Sequence, residues 1–321
     1  MFFISELRNG LHFKSKKTSF WVGITIALLA AIFASTINIV GKILVDPSYG
    51  YVDESIHPLN LAIFLGLISG LFFTPFAKGK QSPTKFSRKS LFLVLMLGIT
   101  DVTAITTNFF GLNHTSAINA TILINTELLF TLLIALIVFK ERIQKKETLP
   151  LSLVALGAII LPMVVDISEN GTFLSGFIFG DMMIILAAVF FALDISIARY
   201  VSRRVPASRI SQISAFAGIP FALFLMLIFE IPFEMPLEQM PMIVYMGIFV
   251  SGLSYYFFVI ALRLIGAIRT VLIYSTTSIF GIVFSAMFLG ETITEFNIIS
   301  VGIIITGIYL LRKKIATMEN S

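Results

Sequence analysis

Apolar runs of about twenty residues recur along the whole chain, from Phe20 to Leu311, and that recurrence makes the lipid bilayer its solvent. No segment between two runs is long enough to build a water-soluble core. Mean hydropathy is +0.96, with 57% hydrophobic and 13% charged residues, against roughly 45–50% and about 25% for soluble domains. The runs divide into ten segments, 20–45, 57–77, 90–111, 115–139, 148–165, 174–200, 208–229, 241–262, 267–289 and 295–311. Inside lipid each segment must pair its own backbone polar groups, so each is read as a helix. The expected fold is therefore an all-α membrane protein with ten transmembrane helices. Residues 1–19 are mixed and basic with no small-residue cleavage site, which predicts a retained tail and no cleavable leader.

The charges divide by side. Of the 23 Lys and Arg residues, all but Lys42 fall in the N-terminal tail, in alternate loops such as 78–89 and 140–146, or after the last span. The opposite loops contain none and collect acids, among them Asp46, Asp53, Glu54, Glu230, Glu234 and Glu291. The positive-inside rule then places both termini in the cytoplasm of a multi-pass protein, with the plasma membrane as its expected location. The net charge of +5 is loop charge of this kind, and no nucleic-acid partner is expected.

The chain also repeats itself. Offset by 150 residues, Leu112, Ala117, Ile118, Thr126, Phe130, Glu141 and Gly157 meet Leu262, Ala267, Ile268, Thr276, Phe280, Glu291 and Gly307. Offset by 157, Gly23, Leu29, Ala30, Ala31 and Phe33 meet Gly180, Leu186, Ala187, Ala188 and Phe190. The expected division is a tail (1–19), a first five-span unit (20–165), a second (174–312) and a short tail (313–321). Because five is odd, the second unit enters the membrane inverted, an architecture used for alternating access around a midplane site.

The blocks Gly111-Leu112, Thr115-Ser116-Ala117, Glu127-Leu128-Leu129-Phe130 and Phe139-Lys140-Glu141-Arg142, with Ala261-Leu262, Gly266-Ala267, Ile279-Phe280 and Leu289-Gly290-Glu291-Thr292, resemble the drug/metabolite transporter superfamily, specifically proteins with two EamA domains. The likeness covers about residues 20–312. It implies a basket in which spans 1, 3, 4, 6, 8 and 9 surround a cavity while spans 5 and 10 lie outside. It also implies transport of amino acids, sugars or drug-like solutes, no obligatory cofactor, and a monomer or weak homodimer. The family's frequent mid-span proline is replaced here by Leu128 and Ser278, so any kink at that point must come from other residues.

Ionisable groups inside a span cost about 2.5–3.5 kcal/mol on insertion scales and mark functional sites or helix pairing. Glu127 shares a helical face with Ser116, Ala120 and Thr131, and can exchange a proton or pair a neighbouring helix. Asp101 shares a face with Asn108; it lines a cavity or pairs with Lys42. Asp194 is a third candidate, with Arg199 as the alternative partner, while Asp181 is expected at the membrane interface. Lys42 either snorkels outward or lines an external vestibule with Asn38. In span 8, Ser251, Ser254 and Tyr255 form a polar face. In span 9, Thr270, Tyr274, Thr277 and Gly281 do. Glu141 and Glu291 sit at span ends and are assigned to the scaffold.

These residues predict a secondary transporter of a small metabolite, with Glu127 and Asp101 coupling it to protons. No Walker A motif is present. Three acids in the core disfavour a multiply anionic solute. A channel or a non-transporting receptor is the competing class. An enzyme is disfavoured, since the chain has no Cys and its three His make no HExxH pair, and no metal is expected.

Overall fold

The computed structural model describes residues 16–77, 88–138, 149, 152–153, 156–157, 176–202, 205–234, 237–265, 270 and 273–318. They form helices α1 (Lys16–Ser35), α2 (Ile37–Val45), α3 (Pro58–Ala77), α4 (Arg88–Asn113), α5 (Ala117–Leu123) and α6 (Thr126–Val138). The second half holds α7 (Gly176–Ser202), α8 (Ala207–Ile228), α9 (Met240–Tyr245), a π-helical stretch (Met246–Ser254), α10 (Tyr255–Ile265), α11 (Thr277–Leu289) and α12 (Glu295–Met318). No strand occurs among the described residues. Six stretches are long and apolar enough to cross a bilayer, and Thr277–Leu289 and Glu295–Gly307 are shorter apolar helices. The expected fifth span, 148–165, lies almost wholly outside the described residues.

The two halves interlock. α4 packs most closely on α7, α3 on α8, and α1 on α10. Exchanging the units turns the first and second spans into the sixth and seventh and the third into the eighth, so these pairings map onto one another. Small residues set the closest approaches. A Cβ on Gly111 of α4 would lie 2.8 Å from Gly180 O of α7, and one on Gly180 would lie 2.7 Å from the His114 carbonyl carbon. Only glycine lets these backbones touch, as in other membrane helix pairs. The outer surface carries large apolar side chains such as Leu227, Ile137 and Met287, the surface that lipid tails accept.

Among the described residues three of the expected spans are interrupted, and none by proline at the break. In the first span, Ser35 Oγ donates to Ile32 O at 2.6 Å and Thr36 Oγ1 to Phe33 O at 2.8 Å, where α1 gives way to α2. In the fourth, Asn125 Nδ2 donates to Thr121 O at 3.1 Å and Ile122 O at 2.9 Å, and Thr126 Oγ1 to Leu123 O at 2.9 Å. In the ninth, Thr276 Oγ1 donates to Ile273 O at 2.7 Å and Thr277 Oγ1 to Tyr274 O. Side chains of this kind compete with the backbone for its own carbonyls, and so supply the helix interruption. Thr126 and Thr276, paired by the 150-residue offset, make the same bond. The break at 124–125 also divides the face expected to join Ser116 and Ala120 to Glu127 and Thr131, which now belong to two helices.

Among the described residues, loops without Lys or Arg are tied to one another and to nearby helix ends. Gln239 Nε2 donates to Glu54 O at 2.5 Å, Asn60 Nδ2 to Pro232 O at 3.1 Å and Tyr51 Oη to Phe288 O at 3.0 Å. The strongest tie is Glu291. Its Oε1 and Oε2 accept from the backbone N–H groups of Ala117 and Ile118, both at 2.8 Å, and Tyr49 Oη donates to Oε1 at 3.2 Å. Ser116 Oγ accepts from Asn119 N at 3.0 Å. The first three N–H groups of α5, unpaired in any bare helix start, are thus all satisfied. Burial and the adjoining Glu291 carboxylate push the Tyr49 phenol well above its usual range, which keeps it a donor.

Candidate functional site

Between the two halves lies a cavity of about 180 Å³. Its wall combines apolar residues such as Leu65, Ile105 and Phe258 with polar groups from both units. Asp101 enters from α4, Glu127 from the first turn of α6 and Asp194 from α7. Asp194 Oδ1 accepts from Thr100 Oγ1 at 3.4 Å. Its carboxyl is close enough to Asp101 and Glu127 to feel both, and the Tyr255 phenol adjoins it. No Lys, Arg or His is among the described residues that line it.

Beside the acids stands a neutral polar group. Thr121 Oγ1 donates to Ala117 O at 2.7 Å, Asn38 Nδ2 to Thr121 Oγ1 at 3.1 Å, and Asn108 Nδ2 to Asn38 Oδ1 at 3.1 Å. Across the halves, Asn125 Nδ2 and Ser278 Oγ lie 2.7 Å apart and Ser278 Oγ and Asn125 Oδ1 3.0 Å apart. The two broken fourth spans are therefore joined at their interruptions. Half-helix ends with freed backbone groups are what solute and ion sites in inverted-repeat membrane proteins are built from.

Of the residues singled out in the sequence, Asn38, Asp101, Asn108, Glu127, Asp194, Tyr255, Tyr274 and Thr277 line this cavity. Thr131 does not; its hydroxyl is buried with no hydrogen-bond partner among the described residues. The pairing of Asp101 with Lys42 does not form, and Lys42 does not snorkel outward. Lys42 is 5% exposed, donates to Leu112 O at 2.8 Å and pairs with Asp46 at 2.9 Å. The acid four residues on and the freed carbonyl at the end of α4 give it nearer partners than water. Burial alone would raise the Asp46 carboxyl, but the bonds from Ser48 and Lys42 outweigh it and hold it below the usual carboxylate range. Asp181, expected at the membrane interface, is 3% exposed and accepts from Thr115 Oγ1 at 2.6 Å. Glu141 lies outside the described residues.

Two further differences concern the walls. α3 (Ala62, Gly66, Ser69) and α8 (Ser211, Ser214, Ala215) also line the cavity. They reach it because they cross closely: a Cβ on Gly66 would sit 2.8 Å from Ala215 O. Asn125, Thr121 and Ser35 were not singled out in the sequence, and Ser278 was noted only as standing in place of a proline. Their signal is the Ser/Thr/Asn cluster in mid-span, as in Ile124-Asn125-Thr126 and Ser275-Thr276-Thr277-Ser278.

A model of the EamA-like transporter family matches residues 21–163 and again residues 178–313. The chain belongs to the EamA-like transporter family. It is similar to an "Uncharacterized transporter" of Methanothermobacter thermautotrophicus, 30% identical over 275 residues that cover 80% of this chain and 79% of the relative. It is also similar to the "Uncharacterized transporter YetK" of Bacillus subtilis, 24% identical over 298 residues covering 91% and 87%. A solved crystal structure of a protein 18% identical superposes with a TM-score of 0.65 over 96% of this chain and 100% of that one, which is a likeness of fold. This EamA-like protein is thus a multi-pass membrane transporter. In it Glu291 holds together the start of α5, the turn at Tyr49 and the loop before α12.

Proposed function

We propose that this EamA-like transporter is a secondary carrier that moves a small metabolite through the cavity between its halves by alternating access. The carrying observation is the meeting of two interrupted fourth spans, joined by Asn125 and Ser278, at a cavity walled by both units. Ten spans in two inverted units, with both termini cytoplasmic in the plasma membrane, complete the reading. Inversion makes the inward and outward states near-equivalent packings of the same helices, so that rocking one unit on the other exchanges access. Glu127 and Asp101 serve as the proton-exchanging groups, facing Asp194, Tyr255 and Tyr274 across the cavity. Intramembrane carboxyls of this kind form proton relays in other carriers.

The test is counterflow in proteoliposomes. A carrier loaded with unlabelled solute accumulates labelled solute transiently and saturably, which a channel does not. An imposed pH gradient should drive wild-type flux, and Glu127→Gln should lose that drive. Flux that never saturates would replace the carrier with a channel, and an unchanged response to pH in Glu127→Gln would remove the proton.

A further inference from the structure

We infer that the solute is a small primary amine with a second hydrogen-bond donor, its ammonium held among Asp101, Glu127 and Asp194 and its other donor on Asn108 Oδ1. This rests on reading the cavity as the solute's path and adds the solute's chemical class.

The hydrogen-bond network carries the inference. Thr121 spends its only proton on Ala117 O, so toward Asn38 it can only accept. Asn38 must therefore present Nδ2 to Thr121 and Oδ1 to Asn108, and Asn108 must present Nδ2 in return. The relay fixes both amide orientations and leaves one acceptor atom over. Asn108 is 2% exposed, it lines the cavity, and its Oδ1 has no partner among the described residues. Oδ1 is closed to water in this state, so its donor would come from an occupant whose binding opens the wall there.

The other pole calls for a donor too. Three carboxyls share the space and no basic residue is among its described lining residues, so a cationic occupant would supply the counter-charge for those that are ionised. Asp101 and Asn108 lie seven residues apart on the uninterrupted helix α4, two turns, on nearly one face and about 10 Å along the axis. The occupant's two donors must then lie within about 10 Å of each other. A cavity of about 180 Å³ is slightly larger than the engineered one of about 150 Å³ that admits benzene. Phe191 and Phe258 in the wall favour a flat apolar body between the two ends. Tyramine has this form.

Tyramine, phenethylamine (no hydroxyl) and 4-ethylphenol (no amine) separate the elements when titrated onto purified full-length protein in nanodiscs. Tyramine should bind at least tenfold more tightly than either analogue. In Asn108→Leu the preference for tyramine over phenethylamine should vanish. In Asp194→Asn both amines should weaken at least tenfold. Equal affinity for tyramine and 4-ethylphenol overturns the ammonium site. Equal affinity for tyramine and phenethylamine in wild type overturns the role of Asn108, whatever the variants do. Failure of all three to bind overturns the class. Saturable counterflow of a neutral or acidic solute, with none of the three bound, would overturn this inference and leave the carrier. Tyramine binding without counterflow would do the reverse.

Discussion

Replacing Glu291 tests how the two halves are tied at the start of α5. Its carboxylate accepts two backbone bonds of 2.8 Å from the start of α5, and hydrogen bonds to a charged group contribute about 1.5–3 kcal/mol each. The side chain is partly exposed, so water can replace some of this in the variant. Glu291→Ala should therefore cost about 2 kcal/mol, near the upper range for loss of a helix cap. Glu291→Gln keeps one acceptor without charge and turns an amide donor toward the other N–H; about 1 kcal/mol is expected. Tyr49→Phe removes a single longer bond of 3.2 Å and should cost about 0.5–1 kcal/mol. In the double variant Tyr49→Phe with Glu291→Ala the costs should fall short of additive, because both changes remove the same bond.

Hydrogen–deuterium exchange reads the effect where it arises. α5 has only seven residues, too few to persist on its own hydrogen bonds, so its opening depends on what holds its start. A loss of about 2 kcal/mol should speed amide exchange in a peptide spanning 115–124 about thirtyfold. Peptides from the middle of α4 and α7 should change little. If the 115–124 peptide exchanges no faster in Glu291→Ala, the cap contributes nothing and Glu291 must act in some other way.

Asn125→Leu removes the donor to Thr121 O and Ile122 O and the partner of Ser278. It should lower stability by about 1–3 kcal/mol and abolish counterflow, as the thermal midpoint and proteoliposome flux would record. Gly180→Ala places a Cβ 2.8 Å from Gly111 O and should separate α4 from α7 at a cost of about 1–3 kcal/mol in the same unfolding assay. Burial holds the His57 imidazole below its usual range, with Glu234 opposing, and its Nδ1 accepts from Leu59 N at 3.2 Å. Neutral His57 is thus favoured in the folded state, and its contribution is full above about pH 6.5 and lost as pH falls through the lower folded value. The wild type's stability advantage over His57→Gln should shrink between pH 7 and pH 5. The chain has no cysteine, so single replacements report topology directly: Ser55→Cys should react with an impermeant maleimide in intact cells, and Ser82→Cys only after lysis.

Periodicity made the all-helical character of this fold readable, because it acts over whole segments. A bilayer demands long apolar helices, and segments without Lys or Arg, those of Glu54, Pro232 and Glu291 among them, are tied to one another or to helix ends in the structure. The cavity's acids were readable for a related reason: Asp101, Glu127 and Asp194 stand out wherever charge is expensive. What escaped was decided by single hydrogen bonds. A face drawn at constant helical pitch joins Ser116 to Glu127, and it fails because Asn125 and Thr126 take carbonyls that a continuous helix would use. Lys42 escaped because Asp46 and a freed carbonyl, close in space, outweigh the pull of distant water.

The repeat explains which differences matter. Thr126 and Thr276 bond alike, so the interruption belongs to the frame common to both units. The next residues, Glu127 and Thr277, both line the cavity yet differ by a full carboxyl. Asp194 likewise stands opposite Ile37 at the 157-residue offset, and both line the cavity. A frame that folds with Thr or Ile at the equivalent place does not need an acid there. If, as proposed, the carboxyls serve what the cavity holds, neutral replacements at 127 and 194 should alter binding far more than folding.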